Sequence, residues 1–136
     1  MWSPESGELL LMTAAHESLL GQFTKQVDGP ALSIYQIEPR TARGTYNNYL
    51  HYRLNLADKI AEFTGVEWYD PGQLRYNIIY STILARLKYK RSPGKLPEHW
   101  DVLGMAEYAK EFWNTSLGKA TTEDYVAAYM RYVVDG

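Results

Sequence analysis

The chain reads as a mainly α protein with at most a minimal β element. Three observations predict this. Apolar residues recur at helical spacing in several separate stretches. Helix-start signals precede them at Ser3-Pro4, Asp70-Pro71 and Thr121-Thr122-Glu123. Only residues 32–37 have an extended character, and they sit inside a glycine- and proline-marked loop.

The first helix is expected over residues 4–20. Ser3 caps it, Pro4 takes the first helical position, Glu5 complements the dipole and Gly21 stops it. Leu9, Met12, His16, Leu19 and Leu20 form one stripe; Leu10, Ala14 and Glu17 form the next. Residues 22–45 carry Gly29, Pro30, Pro39 and Gly44 without a helical stripe and read as loop. A helix resumes over 46–50. Another covers 54–64, with Leu54, Ala57, Ile60, Ala61 and Phe63 inward and Gly65 as stop.

Asp70-Pro71-Gly72-Gln73 opens the next helix as cap, first turn and capping box. It runs to residue 90 and is apolar nearly all round at first, which predicts burial mid-domain and makes Asn77 a buried polar group needing partners. A further helix spans 98–112 with Trp100, Leu103, Ala106, Ala109 and Phe112 inward. Residues 114–119 form a loop, and Tyr125, Ala128, Tyr129, Tyr132 and Val133 stripe the last helix. No internal repeat appears, and the 91–97 linker is too short to divide the chain. Residues 1–136 therefore read as a single domain.

The bulk composition narrows the function. At 136 residues and 46% apolar, the chain can build a core and is not of disordered type. A net charge of −2 argues against a nucleic-acid partner. Without cysteine, disulfides and thiolate metal sites are excluded. His16, His51 and His99 lack ligand spacing, so neither metal nor cofactor is expected, and His16 reads as a satisfied core histidine. No stretch suits a membrane span. Residues 1–10 carry no basic side chain, so no secretory leader is visible; delivery outside the cytoplasm needs another route, or a leader already removed.

Twelve tyrosines and four tryptophans are the compositional excess. Flat amphipathic rings suit sugar stacking and protein interfaces, and they also line cores with the hydroxyl at the edge. Arg86, Lys88, Lys90, Arg91 and Lys95 offer either an anion-binding cluster or a solvated helix end that complements the dipole. The second reading is preferred, because the cluster has few basic companions.

Glu17 is the residue with chemical promise. Taken alone it reads as a surface glutamate on the rim of an apolar face. Its apolar neighbours and the negative helix end nevertheless suit a proton donor.

Ala15-His16-Glu17-Ser18, then Gly29-Pro30-Ala31-Leu32-Ser33-Ile34-Tyr35-Gln36-Ile37-Glu38-Pro39-Arg40-Thr41, then Tyr76-Asn77-Ile78, then Phe112-Trp113-Asn114-Thr115 occur in one order. That order resembles the soluble lytic transglycosylase and goose-type lysozyme superfamily, especially short virion-associated members from tailed bacteriophages, over residues 10–120. The resemblance implies a lysozyme-like helical fold with Glu17 as the single catalytic acid/base. Ser18, Gln36, Asn77, Trp113 and Asn114 become the substrate-binding set. Peptidoglycan glycan strands become the substrate, cut between N-acetylmuramic acid and N-acetylglucosamine. Location on a virion, or delivery to the bacterial wall, follows from the same resemblance. The sequence departs from the pattern at Ser33 (a glycine in the family), at Trp113 (a tyrosine), at Glu38 (an apolar residue) and at Thr115-Ser116-Leu117 (glycine-rich). An alternative is a lysozyme-like virion protein that has lost turnover and binds other virion proteins. Glu38 is a candidate second carboxylate for a hydrolase.

Overall fold

A computed structural model describes residues 2–114 and 118–136. The architecture is mainly helical. Its helices are α1 (Pro4–Ser18), α2 (Pro39–Asn48), α3 (Leu54–Thr64), α4 (Pro71–Tyr76), α5 (Ile78–Lys90), α6 (Val102–Ala109) and α7 (Thr122–Tyr129). A 3-10 turn at Leu50–Tyr52 joins α2 to α3, and π turns at Lys110–Asn114 and Met130–Val134 extend α6 and α7. The β content among the described residues is two isolated antiparallel bridges, Lys25 with Leu32 and Leu32 with Ile37. Thr115, Ser116 and Leu117, assigned to a loop above, lie outside the described residues.

The caps behave largely as the sequence predicts. Ser3 Oγ accepts from Ser6 N at 3.1 Å and Ser6 Oγ accepts from Ser3 N at 2.9 Å, a reciprocal box ahead of Pro4. Thr121 and Asp124 form the same kind of box at α7. Gly65 closes α3 at φ 76°, where a side chain would be strained. α1 ends at Ser18, two residues earlier than expected, because Leu19 already turns left-handed at φ 54°.

Three expectations are corrected. First, α2 begins at Pro39, inside the expected loop. Proline at the first helical position needs no apolar stripe to start a helix, and α2 has few apolar residues to advertise it. Second, the long helix after Asp70 is two helices, broken at Asn77 (φ −101°, ψ 96°). Asn77 Oδ1 accepts from Tyr80 N at 3.1 Å and its amide donates to Thr64 O at 3.2 Å, so the side chain replaces helical backbone bonds with local ones. Gln73 forms no capping box with Asp70; its Oε1 instead accepts from Asn77. The first half of this stretch is not buried either: Tyr76, Ile78 and Ile79 are exposed, and the packed face belongs to Tyr80, Leu84, Leu87 and Tyr89. Third, residues 98–101 precede α6 rather than forming its first turn. Asp101 Oδ1 accepts from Gly104 N at 2.9 Å and starts the helix at Val102, which leaves Trp100 and Leu103 outward. Leu54 and Phe63, also expected inward, are exposed.

The core is one cluster. α1 packs on α5, α6 and α7, while α2, α3 and α4 pack on α5. Leu9, Met12, Leu74, Leu84, Leu87 and Met105 are essentially fully buried, and each such side chain contributes about 1.5–3 kcal/mol relative to exposure. Tyr46, Tyr80, Tyr89 and Tyr125 are buried to the same degree, so part of the tyrosine excess is core. Among the described residues, no helix is long and apolar enough to cross a membrane.

Candidate active site

α1 delivers Glu17 to the floor of an open cleft of about 530 Å³. The size lies in the range of small-ligand sites. The other walls come from distant parts of the chain. Phe23, Gln26, Val27, Ala31, Gln36 and Glu38 belong to the segment between α1 and α2, and Thr41 to the first turn of α2. Lys88 comes from the last turn of α5, and Trp113 and Asn114 from the π turn after α6.

The loop is held in an uncommon backbone state. Among the described residues, the non-glycine positions with positive φ are Leu19, Leu20, Asp28, Ser33 and Gln36, all between 19 and 36. Each such position costs on the order of 1 kcal/mol, and strain of this kind gathers at functional sites. Ser33 stands at φ 77°, a conformation that favours glycine. Its Oγ accepts from Tyr35 N at 3.0 Å, which offsets part of the strain. Gln36 is pinned by its own amide, whose Nε2 donates to Ser33 O at 2.8 Å. Gln36 lines the cleft with this amide so anchored. Leu32 and Ile37 exchange N–H···O bonds of 2.8 and 2.7 Å and close this tight loop.

Glu17 has a side-chain exposure of 19%, so it is half-buried at the cleft floor. His16 Nδ1 approaches Glu17 Oε1 at 3.7 Å, and the imidazole stacks on Tyr125 with centroids 4.0 Å apart. His16 Nδ1 and Tyr125 Oη are buried atoms without a hydrogen-bond partner. His16 is therefore not the satisfied core histidine expected above: one nitrogen is buried, unpaired and close to the candidate acid. Burial pushes the Tyr125 phenol well above the ordinary tyrosine range, and the Glu17 charge raises it further.

Trp113 is almost fully buried and leans on Tyr89, with centroids 5.0 Å apart. Lys88 Nζ lies 3.9 Å from the Trp113 ring centroid and donates to Trp113 O at 3.4 Å. Burial lowers the Lys88 amine from the ordinary lysine value, while the charges of Glu17 and Glu38 act to hold it up. Asn114 Oδ1 accepts from Lys110 Nζ at 2.8 Å, and Lys110 also donates to Gly118 O at 2.9 Å. That bond turns the Asn114 Nδ2 donors away from Lys110.

Glu17, Gln36, Trp113 and Asn114 thus meet in one cleft. Ser18 and Asn77 do not belong to it. Ser18 is fully buried; its Oγ donates to Ile34 O at 2.5 Å and accepts from Gly21 N at 2.9 Å, which ties the loop to the end of α1. Asn77 caps α5 and holds the C-terminus of α3. Both are corrected from substrate contacts to structural ties. Replacing Asn77 with alanine is expected to lower stability by about 1 kcal/mol, the usual worth of an N-cap, and to leave any activity of the cleft unchanged. Chemical denaturation beside an activity assay checks this.

Sequence reasoning missed Lys88, Tyr125 and the closeness of His16 to Glu17. Lys90, Arg91 and Lys95 are exposed, as a solvated helix end requires, but Lys88 turns inward. Away from the cleft, Glu5, Glu98 and His99 bring ligand atoms within 4.8 Å of one another. Acidic groups at a surface often gather without an ion, so this trio carries no assignment. Comparison of the chain with models of protein families, with curated proteins and with solved structures gave no match.

Proposed function

We propose that the chain cleaves peptidoglycan glycan strands between N-acetylmuramic acid and N-acetylglucosamine, as a lytic transglycosylase with Glu17 as its single acid/base. One observation carries the reading: four residues singled out from a family-like order, far apart in the chain, line the same cleft around a half-buried glutamate. In this reading the protein is lysozyme-like, and it opens the bacterial wall locally as a virion-associated or wall-delivered factor.

The chemistry needs one carboxyl group. Glu17 gives its proton to the glycosidic oxygen as the bond to the muramyl C1 breaks. The substrate's own 2-acetamido group stabilises the positive charge that develops. Glu17, now a carboxylate, takes the proton of the C6 hydroxyl as that oxygen closes on C1, which leaves a 1,6-anhydro end. Gln36 and the Asn114 amide supply polar contacts, and the exposed Phe23 ring offers aromatic surface of the kind sugars stack on. The scheme departs from two-carboxylate glycosidases in the manner of substrate-assisted enzymes.

Glu38 supports a second reading, because it lines the same cleft as Glu17. As a base it would activate water and make the reaction a hydrolysis. Digestion of purified peptidoglycan followed by mass analysis of the soluble products separates these. Anhydro ends are the expected result; reducing ends mean a hydrolysis, and loss of that release in Glu38→Gln would make Glu38 its base. No release from any wall type leaves the virion binding role.

A further inference from the structure

Lys88 is the single cationic side chain lining the cleft among the described residues, and it shares that cleft with two carboxylates, Glu17 and Glu38. Its ammonium is not free to wander. The Trp113 ring lies 3.9 Å beneath it and the Trp113 carbonyl accepts from it at 3.4 Å. An ammonium removed from water over an indole face gains up to roughly 2 kcal/mol. The indole is itself fixed against Tyr89. The cation is thus mounted on a rigid part of the core rather than on a solvated helix end.

We propose that Lys88 is a positioning residue for Glu17: its ammonium, seated on Trp113, is the fixed counter-charge for the carboxylate that Glu17 becomes on giving up its proton. The inference rests on the cleavage reading above. The step starts from the protonated form of Glu17 that the cleavage reading requires. During it, the Glu17 O–H bond breaks and the proton goes to the glycosidic oxygen, which keeps the electron pair of the broken C1–O bond. The new carboxylate then faces an ammonium already in place. Lys88 exchanges no proton and touches no reacting atom. Other titratable groups near Glu17 include His16 on α1, Tyr89 on α5 and Tyr125 on α7. A fixed charge of this kind lowers a barrier because nothing reorganises when charge develops.

Two arms test this. In the first, the Lys88 side-chain resonance, assigned by its loss in Lys88→Arg, is titrated by NMR in the parent, Glu17→Gln and Glu38→Gln proteins. Both variants are expected to lower its midpoint, Glu17→Gln the more, because each removes a charge that favours the ammonium. An unmoved midpoint in Glu17→Gln overturns the proposal. In the second arm, Lys88→Met is expected to reduce kcat on peptidoglycan about tenfold or more, with KM within about twofold, and Lys88→Arg to recover part of the loss. A Lys88→Met protein with parental kcat overturns the proposal as well. A parent protein that releases nothing from peptidoglycan overturns the cleavage reading instead, and the NMR arm then decides the counter-charge by itself.

Discussion

Glu17→Gln is expected to release muropeptides from purified peptidoglycan about 10²- to 10⁴-fold more slowly than the parent, the usual worth of a general acid. The amide keeps the shape of the side chain but has no proton to give at neutral pH. Folding is expected to hold. The polar neighbours of Glu17 include His16 Nδ1, at 3.7 Å, and the Tyr125 phenol, and a partly exposed contact of the first kind contributes roughly 0–1 kcal/mol. The measurement is soluble product against time, beside a thermal melt of each protein. Equal release by the two proteins removes Glu17 from the chemistry. Slow release from a protein that melts many degrees lower means only that the cleft has come apart. The helix end makes the clean outcome the expected one: Ser18, not Glu17, anchors the loop to α1.

That division of labour shows how far the site could be read from residues alone. Glu17 and Ser18 are neighbours in the chain, and on a helix neighbours point about 100° apart. An acid facing a cleft therefore sends the next side chain elsewhere, here into the core against Ile34 O. Asn77 misled in a similar way. A polar residue in an apolar run needs partners, and it found them in backbone groups at two helix ends rather than in a ligand. Gln36, Trp113 and Asn114, singled out by their order along the chain, do line the cleft with Glu17. Lys88 was not legible, because nothing in a run of basic residues tells which one sits opposite a tryptophan 25 positions later. Among the elements, α3 was legible in its bounds and its Gly65 stop, though Leu54 and Phe63 face outward. α2 was hidden by its lack of an apolar stripe, and the start of α6 moved because the Asp101 cap outweighed the aromatic at Trp100.

The largest loss of stability is expected at Tyr125. The residue has no measurable exposure, it lies where α7 packs on α1, and its ring supports the imidazole of His16. Tyr125→Ala leaves a ring-sized void that a helix interface closes only partly, and comparable aromatic truncations cost about 3–5 kcal/mol. That is a large share of the roughly 5–15 kcal/mol by which a domain is stable. Denaturant unfolding should show it directly. Tyr125→Phe separates the ring from its hydroxyl. Because Oη is buried without a hydrogen-bond partner, its removal strands no donor or acceptor, and the change is expected to be within about 1 kcal/mol or slightly stabilising. A loss from Tyr125→Phe as large as that from Tyr125→Ala would mean that the phenol is bonded in the folded protein, with the Glu17 carboxylate as the partner its charge already marks. With the expected result, the ring is what holds α7 and His16 beneath the cleft, and Glu17 depends on Tyr125 for its packing rather than for a hydrogen bond.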